Sequence, residues 1–245
     1  MYPVLFRIGA FEITSFGAMV ALGALAGLWV FQRELRRSGL PEAALDAAVI
    51  GLLCGFAGAK ILHAILHLGE EPLLAMLLSR SGLAWFGGLV GGVGGALAVM
   101  RLRRWPVLPI LAAAAPALAL GHAIGRIGCF LVGDDYGRVT TLPWGVAFPE
   151  GIPPTIERVH PTQLYEMVPL LVLAALLMRW RRQGVPDRVV LGRYFIAAGA
   201  VRFLIEFVRI NEPIALGLTA SHWIALGIVA AGAVLLVPRR PSVPS

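Results

Sequence analysis

Apolar runs long enough to cross a bilayer recur along the whole chain, and they restrict what it can fold into. A helical span needs about 20 largely apolar residues. Such runs occur near 13–31, 47–69, 83–100, 107–133, 165–181, 189–209 and 221–238. Hydrocarbon offers backbone groups no partner, so each run must close its own hydrogen bonds. The runs predict an all-α membrane protein of about seven transmembrane helices, read as a single polytopic domain over residues 1–245 with no internal repeat. The fourth run is too long for one straight helix, and Pro116 with Gly121, Gly125 and Gly128 is expected to break it. Composition agrees: 58% of the residues are hydrophobic, 14% are charged and mean hydropathy is +0.80. Those values exclude an ordinary soluble domain.

The net charge of +7 could suggest nucleic acid. Its placement argues instead for topology, and no nucleic-acid partner is expected. Arg33, Arg36, Arg37, Arg101, Arg103, Arg104, Arg179, Arg181, Arg182, Arg188, Arg239 and Arg240 follow alternate runs and so share one side. Only Arg7, Arg80, Arg138 and Arg158 fall on the other. The positive-inside rule then puts the N-terminus outside and the C-terminus in the cytoplasm. The first residues, MYPVLFRIGAFEI, lack the basic region and small-residue cleavage site of a signal peptide, so the first span is expected to persist. The Pro- and Gly-rich segment 134–164 is the one sizeable non-spanning stretch and is expected to face outward.

Arg126, in LALGHAIGRIGCFLVG, and Arg202, in VVLGRYFIAAGAVRFLIEFVRI, lie inside apolar runs. At membrane depth an arginine costs at least ~2.5–3.5 kcal/mol on insertion scales, so it needs a partner or a function. Arg202, Glu206 and Arg209 are spaced i, i+4, i+7 and are expected to share a helix face. They form either a closed ion-pair ladder or a carboxylate-braced pair of guanidiniums with donors left for an anion. Arg126 has His122, not an acid, at i−4. Its partner must come from another span, from Asp134 and Asp135, or from a ligand. In a bilayer the abundant anion is a lipid phosphate. Asp134 and Asp135 read as a general base, as an arginine-orienting pair, or as a water-boundary marker.

Other features are less specific. Gly87, Gly91 and Gly95, with Gly88 and Gly92, recur every fourth residue in the third run. Such spacing suits close helix packing, or a backbone surface open to a headgroup. His63 and His67, at i, i+4, would be half of a metal site that nothing completes. With Glu70 and Glu71 they read as a span end, as His222 does near the last run. No metal or cofactor is expected. Cys54 and Cys129 fall in apolar runs, as buried thiols rather than a disulfide framework. A short surface helix is suggested within 70–80.

GRIGCFLVGDDYGR, HPTQLYE and RFLIEFVR together resemble the hallmarks of the prolipoprotein diacylglyceryl transferase family, in the family's order. The first is close to GR-x-GNF-x-NGE-x-x-G. The resemblance covers nearly the whole chain. It implies a multi-pass enzyme of the bacterial cytoplasmic (inner) membrane. Such an enzyme moves a diacylglyceryl group from phosphatidylglycerol to the lipobox cysteine in the signal peptide of a secreted prolipoprotein. By motif, Arg126 and Arg202 would hold the phosphate, Asp134 stands at the usual Glu, and Gly137 is the closing glycine. Glu206 and Arg209 match the acid and second arginine of the third hallmark, and His160, Gln163, Tyr165 and Glu166 match the second. Cys129 stands for the usual Asn and Val132 for a second Asn. Phe86 takes the place of a histidine before Gly87 and Gly88, which are counted among the substrate contacts. Ala198 and Phe16 stand where tyrosines are common.

The implied chemistry is alkyl transfer. A cysteine sulfur attacks the terminal glyceryl carbon, and glycerol phosphate leaves with the C–O electrons. Thiolate is the reactive form, and arginines aimed at the departing oxygen stabilise its charge. His160 or Asp134 is the candidate proton acceptor; alternatively the arginine field alone ionises the thiol. Two other readings are a non-catalytic relative that binds anionic phospholipid and a small-anion transporter. Phe86 and Ala198 favour the first of these. Polar groups crowding one side of the membrane weigh against the second.

Overall fold

The structure is a computed structural model that describes residues 3–8, 11–69, 72–78 and 84–238. Glu70, Glu71, Arg80, Arg239 and Arg240 lie outside the described residues. Among the described residues, seven long helices fall on the seven apolar runs: α1 (Ser15–Arg37), α2 (Ala44–Leu66), α4 (Trp85–Leu102), α5 (Val107–Val132), α6 (Thr162–Arg182), α7 (Asp187–Glu206) and α8 (Ala220–Leu236). A six-residue helix, α3 (Leu73–Leu78), occupies part of the stretch where a short helix was expected. By length and apolarity α1, α2, α5 and α6 are able to cross a membrane, and α4 and α8 are shorter apolar helices. Bulky apolar side chains such as Leu53 (65% exposed) and Val90 (73%) point outward, as suits a protein solvated by lipid. This is an all-helical membrane protein.

Three points differ from the sequence reading. First, α5 runs unbroken through Pro116. Proline removes one helical N–H. Breaking the helix in an apolar medium would strand several backbone groups, so continuity costs less. Second, two short antiparallel hairpins accompany the helices, β1 (Val4–Ile8) with β2 (Phe11–Thr14) before α1, and β3 (Val146–Phe148) with β4 (Thr155–Val159) between α5 and α6. The first runs straight into α1, where the Thr14 hydroxyl accepts from Gly17 N–H at 3.1 Å and caps the helix. Third, α7 stops at Glu206, so Arg209 is not on its face.

The chain divides into two compact units, residues 1–30 with 111–245, and residues 31–110. In the first, Ala112, Ala115, Ala119 and Ala123 form a small-residue stripe on α5. It packs against Leu170, Leu173, Ala174 and Leu177 of α6 and Val190 and Leu191 of α7. In the 134–164 segment Tyr136 stacks on Phe148 at 5.4 Å, and Val159 joins this small core.

In the second unit α2 and α4 meet through their glycines. A Cβ on Gly91 would collide with the Cys54 carbonyl, and one on Gly87 with the Gly58 carbonyl and with Leu62 Cβ at 2.7 Å. The four-residue spacing therefore serves backbone-to-backbone packing. Gly87→Val is expected to destabilise the protein by about 1–3 kcal/mol through overpacking, read as a lowered thermal midpoint of purified protein. An unchanged midpoint would mean the two helices part at no cost. Lys60 of α2 donates to the Met76 carbonyl of α3 at 3.4 Å. The His63 and His67 rings lie 4.2 Å apart, tilted by 36°, with His67 Nδ1 2.9 Å from the His63 carbonyl.

Candidate functional site

Arg126, Asp135, Glu166, Arg202, Glu206 and Arg209 gather where α5 and α7 end and α6 begins. Helix α5 delivers Arg126 one and a half turns before its end. Gly133 (φ 71°) and then Asp135 (φ 60°) take left-handed backbone, a conformation open to glycine and tolerated by aspartate. The chain thereby turns back, and the Asp135 carboxylate accepts from Arg126 Nη1 at 2.8 Å. Helix α6 begins where Pro161 precedes Thr162. In its first turn Thr162 donates to the Asp135 carbonyl at 2.6 Å, and Gln163 Nε2 donates to the Asp134 carbonyl. One turn on, buried Glu166 pairs with Arg126 Nη2. The hallmark spacing of HPTQLYE thus follows from the helix: two residues brace the Asp134–Asp135 turn and the third meets the arginine.

From α7 comes Arg202, whose Nη2 contacts Glu206 Oε2 at 2.7 Å and donates to Ser221 Oγ at 3.1 Å. Glu206 is also 3.6 Å from Arg209 Nε. Arg209 reaches this position from the loop, where Gly137 and Arg209 form a backbone bridge and Arg138 Nε donates to the Arg209 carbonyl at 3.0 Å. Gly137 has to be glycine here, since a Cβ would strike the Val208 carbonyl. Arg209 Nη2 then donates to Asp135 Oδ1 at 2.6 Å.

The result is one alternating chain: His122, Glu166, Arg126, Asp135, Arg209, Glu206, Arg202. His122 Nε2 closes its end, 3.5 Å from Glu166 Oε1. Contacts run without a break from Arg126 through Asp135, Arg209 and Glu206 to Arg202, so the two deep arginines share one electrostatic site. Three guanidiniums face three carboxylates. Yet Arg202 Nη1 and Arg126 Nε are buried and donate to no group among the described residues, so donor capacity is left for an anion.

The partner of Arg126 is thus both an acid of another helix and an acid of the 134–135 turn. Of the two aspartates, Asp135 is the arginine-orienting one. Its side chain is 44% exposed, so the rise from partial burial is outweighed by the hydrogen bonds and charges of Arg209 and Arg126, which hold its carboxyl well below the usual range. Asp134 goes the other way. Burial raises its pKa and Asp135 adds to the rise, against opposing effects of Cys129, Arg126 and Arg209. Cys129 lies beside Arg126, its Sγ 3.7 Å from Nη1, and both cysteines are free.

His160 is turned onto the Tyr165 hydroxyl (3.2 Å), which also accepts from Trp144 Nε1 at 2.7 Å. Those three form a separate small group. Gly87, Gly88 and Phe86 belong to the second unit, where the two glycines face α2 and Phe86 is half exposed on α4. The sequence reading took Thr162 only as part of HPTQLYE, with no role of its own, and passed over Asn211, Thr219 and Ser221. The signal that could have found Thr219 is a Ser or Thr just ahead of the last apolar run, the usual mark of a helix cap.

Long apolar helices with a braced arginine site at their ends define a multi-helix integral membrane protein with a charged centre. A sequence model of the family described as prolipoprotein diacylglyceryl transferase matches residues 3–238, and the chain belongs to that family. It is 37% identical over 232 residues to the phosphatidylglycerol–prolipoprotein diacylglyceryl transferase of Geobacter sulfurreducens, covering 89% of this chain and 86% of that protein. It is 33% identical over 214 residues to the enzyme of the same name from Clostridium tetani (85% and 86% covered). With the one from Dehalococcoides mccartyi the identity is 32% over 245 residues (97% and 94%).

Proposed function

We propose that this protein transfers the diacylglyceryl group of phosphatidylglycerol to the lipobox cysteine thiol of a prolipoprotein. It would work as one polytopic domain with seven spans in the bacterial inner membrane. Its N-terminus and the 134–164 segment face outward, and its C-terminus faces the cytoplasm. The cysteine sulfur forms a thioether with the terminal glyceryl carbon, the C–O bond to phosphate breaks, and glycerol phosphate leaves. The observation that carries the reading is the convergence of all three sequence hallmarks on one arginine–carboxylate chain. Arg126 and Arg202 hold the phosphate and stabilise the charge developing on the departing oxygen. Glu166, Asp135, Glu206 and Arg209 fix the two guanidiniums in advance. Gln163 and Gly137 hold the backbone that carries Asp135 and Arg209, and Tyr165 stands with His160 as a further substrate contact.

The decisive experiment gives purified protein headgroup-labelled phosphatidylglycerol and a peptide bearing a lipobox cysteine. Release of glycerol phosphate that requires the cysteine is expected. Lipid binding without release would mark a non-catalytic relative, and small-anion uptake indifferent to lipid would mark a transporter.

Asp134 is the favoured proton acceptor, because its Oδ1 is buried with no hydrogen-bond partner among the described residues and burial raises its pKa. A base must be ionised, so activity falls as pH drops through that raised pKa. Asp134→Asn is expected to lower cysteine-dependent release by about two orders of magnitude and to abolish the acid limb of the rate profile, with folding retained. A variant that keeps rate and acid limb would pass the role to His160 or to the arginine field.

A further inference from the structure

Glu206 is the acid that braces Arg202, and a cap on the next helix in turn holds Glu206. Thr219 is the N-cap of α8 and forms a capping box with His222. Its hydroxyl has one proton and two acceptors within reach, Glu206 Oε1 at 2.7 Å and His222 Nδ1 at 3.1 Å. The lone pair of Nδ1 already accepts the Thr219 backbone N–H at 3.2 Å. A carboxylate is also the stronger acceptor, so the hydroxyl proton goes to Glu206. The imidazole of His222 is fixed in place, being 2% exposed and wedged against the rings of Phe203 (4.9 Å) and Phe207 (4.6 Å). Asn211 Nδ2 donates to the same Oε1 at 2.7 Å. With Oε1 filled twice, Oε2 is the oxygen that faces Arg202 and Arg209.

We propose that Thr219, seconded by Asn211, is a positioning residue for departure of the glycerol phosphate, aligning Arg202 through Glu206 without touching substrate. The cap of α8 therefore does more than start a helix, since the same hydroxyl sets the rotamer of the acid that aims the arginine. The proposal rests on the phosphate-holding role of Arg202 given above. Charge grows on the leaving oxygen only in the transition state, so a misaimed guanidinium lowers kcat more than it raises KM.

The full-length protein is assayed for cysteine-dependent glycerol phosphate release, with rates expressed per folded molecule because Thr219→Val also removes a helix cap. Thr219→Val is expected to lower kcat about tenfold, with KM for phosphatidylglycerol changed by less than about twofold. Thr219→Ser restores most of the loss, and Asn211→Ala lowers kcat about threefold. Parental kcat in Thr219→Val, or a serine variant as poor as the valine one, overturns the proposal. If the valine variant does not fold, Asn211→Ala decides, and an unaltered kcat there overturns it. A parent protein that releases no glycerol phosphate overturns the functional reading itself. That result is distinct from an active parent with indifferent variants.

Discussion

Replacing Arg126 by lysine is expected to lower cysteine-dependent glycerol phosphate release by about two orders of magnitude, or about 2.7 kcal/mol of transition-state stabilisation. Charge is conserved in this variant, so the loss isolates geometry. The Arg126 guanidinium engages Asp135 through Nη1 at 2.8 Å and Glu166 through Nη2, leaving Nε buried and uncommitted. A lysine Nζ on its flexible stem is a point charge that cannot span both carboxylates and still present a flat edge to phosphate. The measurement is the initial rate per folded molecule at saturating phosphatidylglycerol. Near-parental turnover in Arg126→Lys would show that charge alone suffices and would end the idea of a bidentate clamp.

Glu206→Ala is expected to be the most destabilising single change in the site, at about 3–5 kcal/mol, with activity lost as well. The Glu206 side chain is fully buried and stands between Arg202 and Arg209. Removing it leaves two guanidiniums facing each other with no acid between them, and strands the Thr219 hydroxyl and the Asn211 amide. Breaking a buried pair from one side costs more than the pair contributed, because the surviving charge stays desolvated. Glu206→Gln keeps the acceptor for Thr219 and Asn211 and should lose less. Thermal unfolding of the purified protein in detergent separates the cases. A midpoint for Glu206→Ala equal to the parent's would mean that Arg202 and Arg209 do not depend on this acid.

These two variants also mark where reading the chain ends and the fold takes over. Apolar run length alone locates the seven long helices, because a bilayer admits few ways to satisfy a backbone. Arg126, Arg202 and Glu206 stand out as candidate site residues for a related reason, since charge inside an apolar run is costly and demands an explanation, whereas Glu166 is singled out by the HPTQLYE motif. Pro116 misleads because the rule for kinks is weighted by water, which an apolar medium withholds. Arg209 misleads in a similar way: its i+7 spacing fits a helix face only while the helix lasts, and α7 ends three residues earlier. The pairing of acids with bases is decided by tertiary structure. Asp134 and Asp135 are alike in sequence, and one left-handed residue at Asp135 sends its carboxylate to two arginines while the neighbouring side chain is left half-buried. Thr219 is invisible as a site residue until α8 brings its hydroxyl to Glu206, thirteen positions away. Periodicity and hydropathy are local sums that a sequence carries in full. Which donor meets which acceptor depends on backbone turns and helix ends, whose small angular choices no residue type specifies alone.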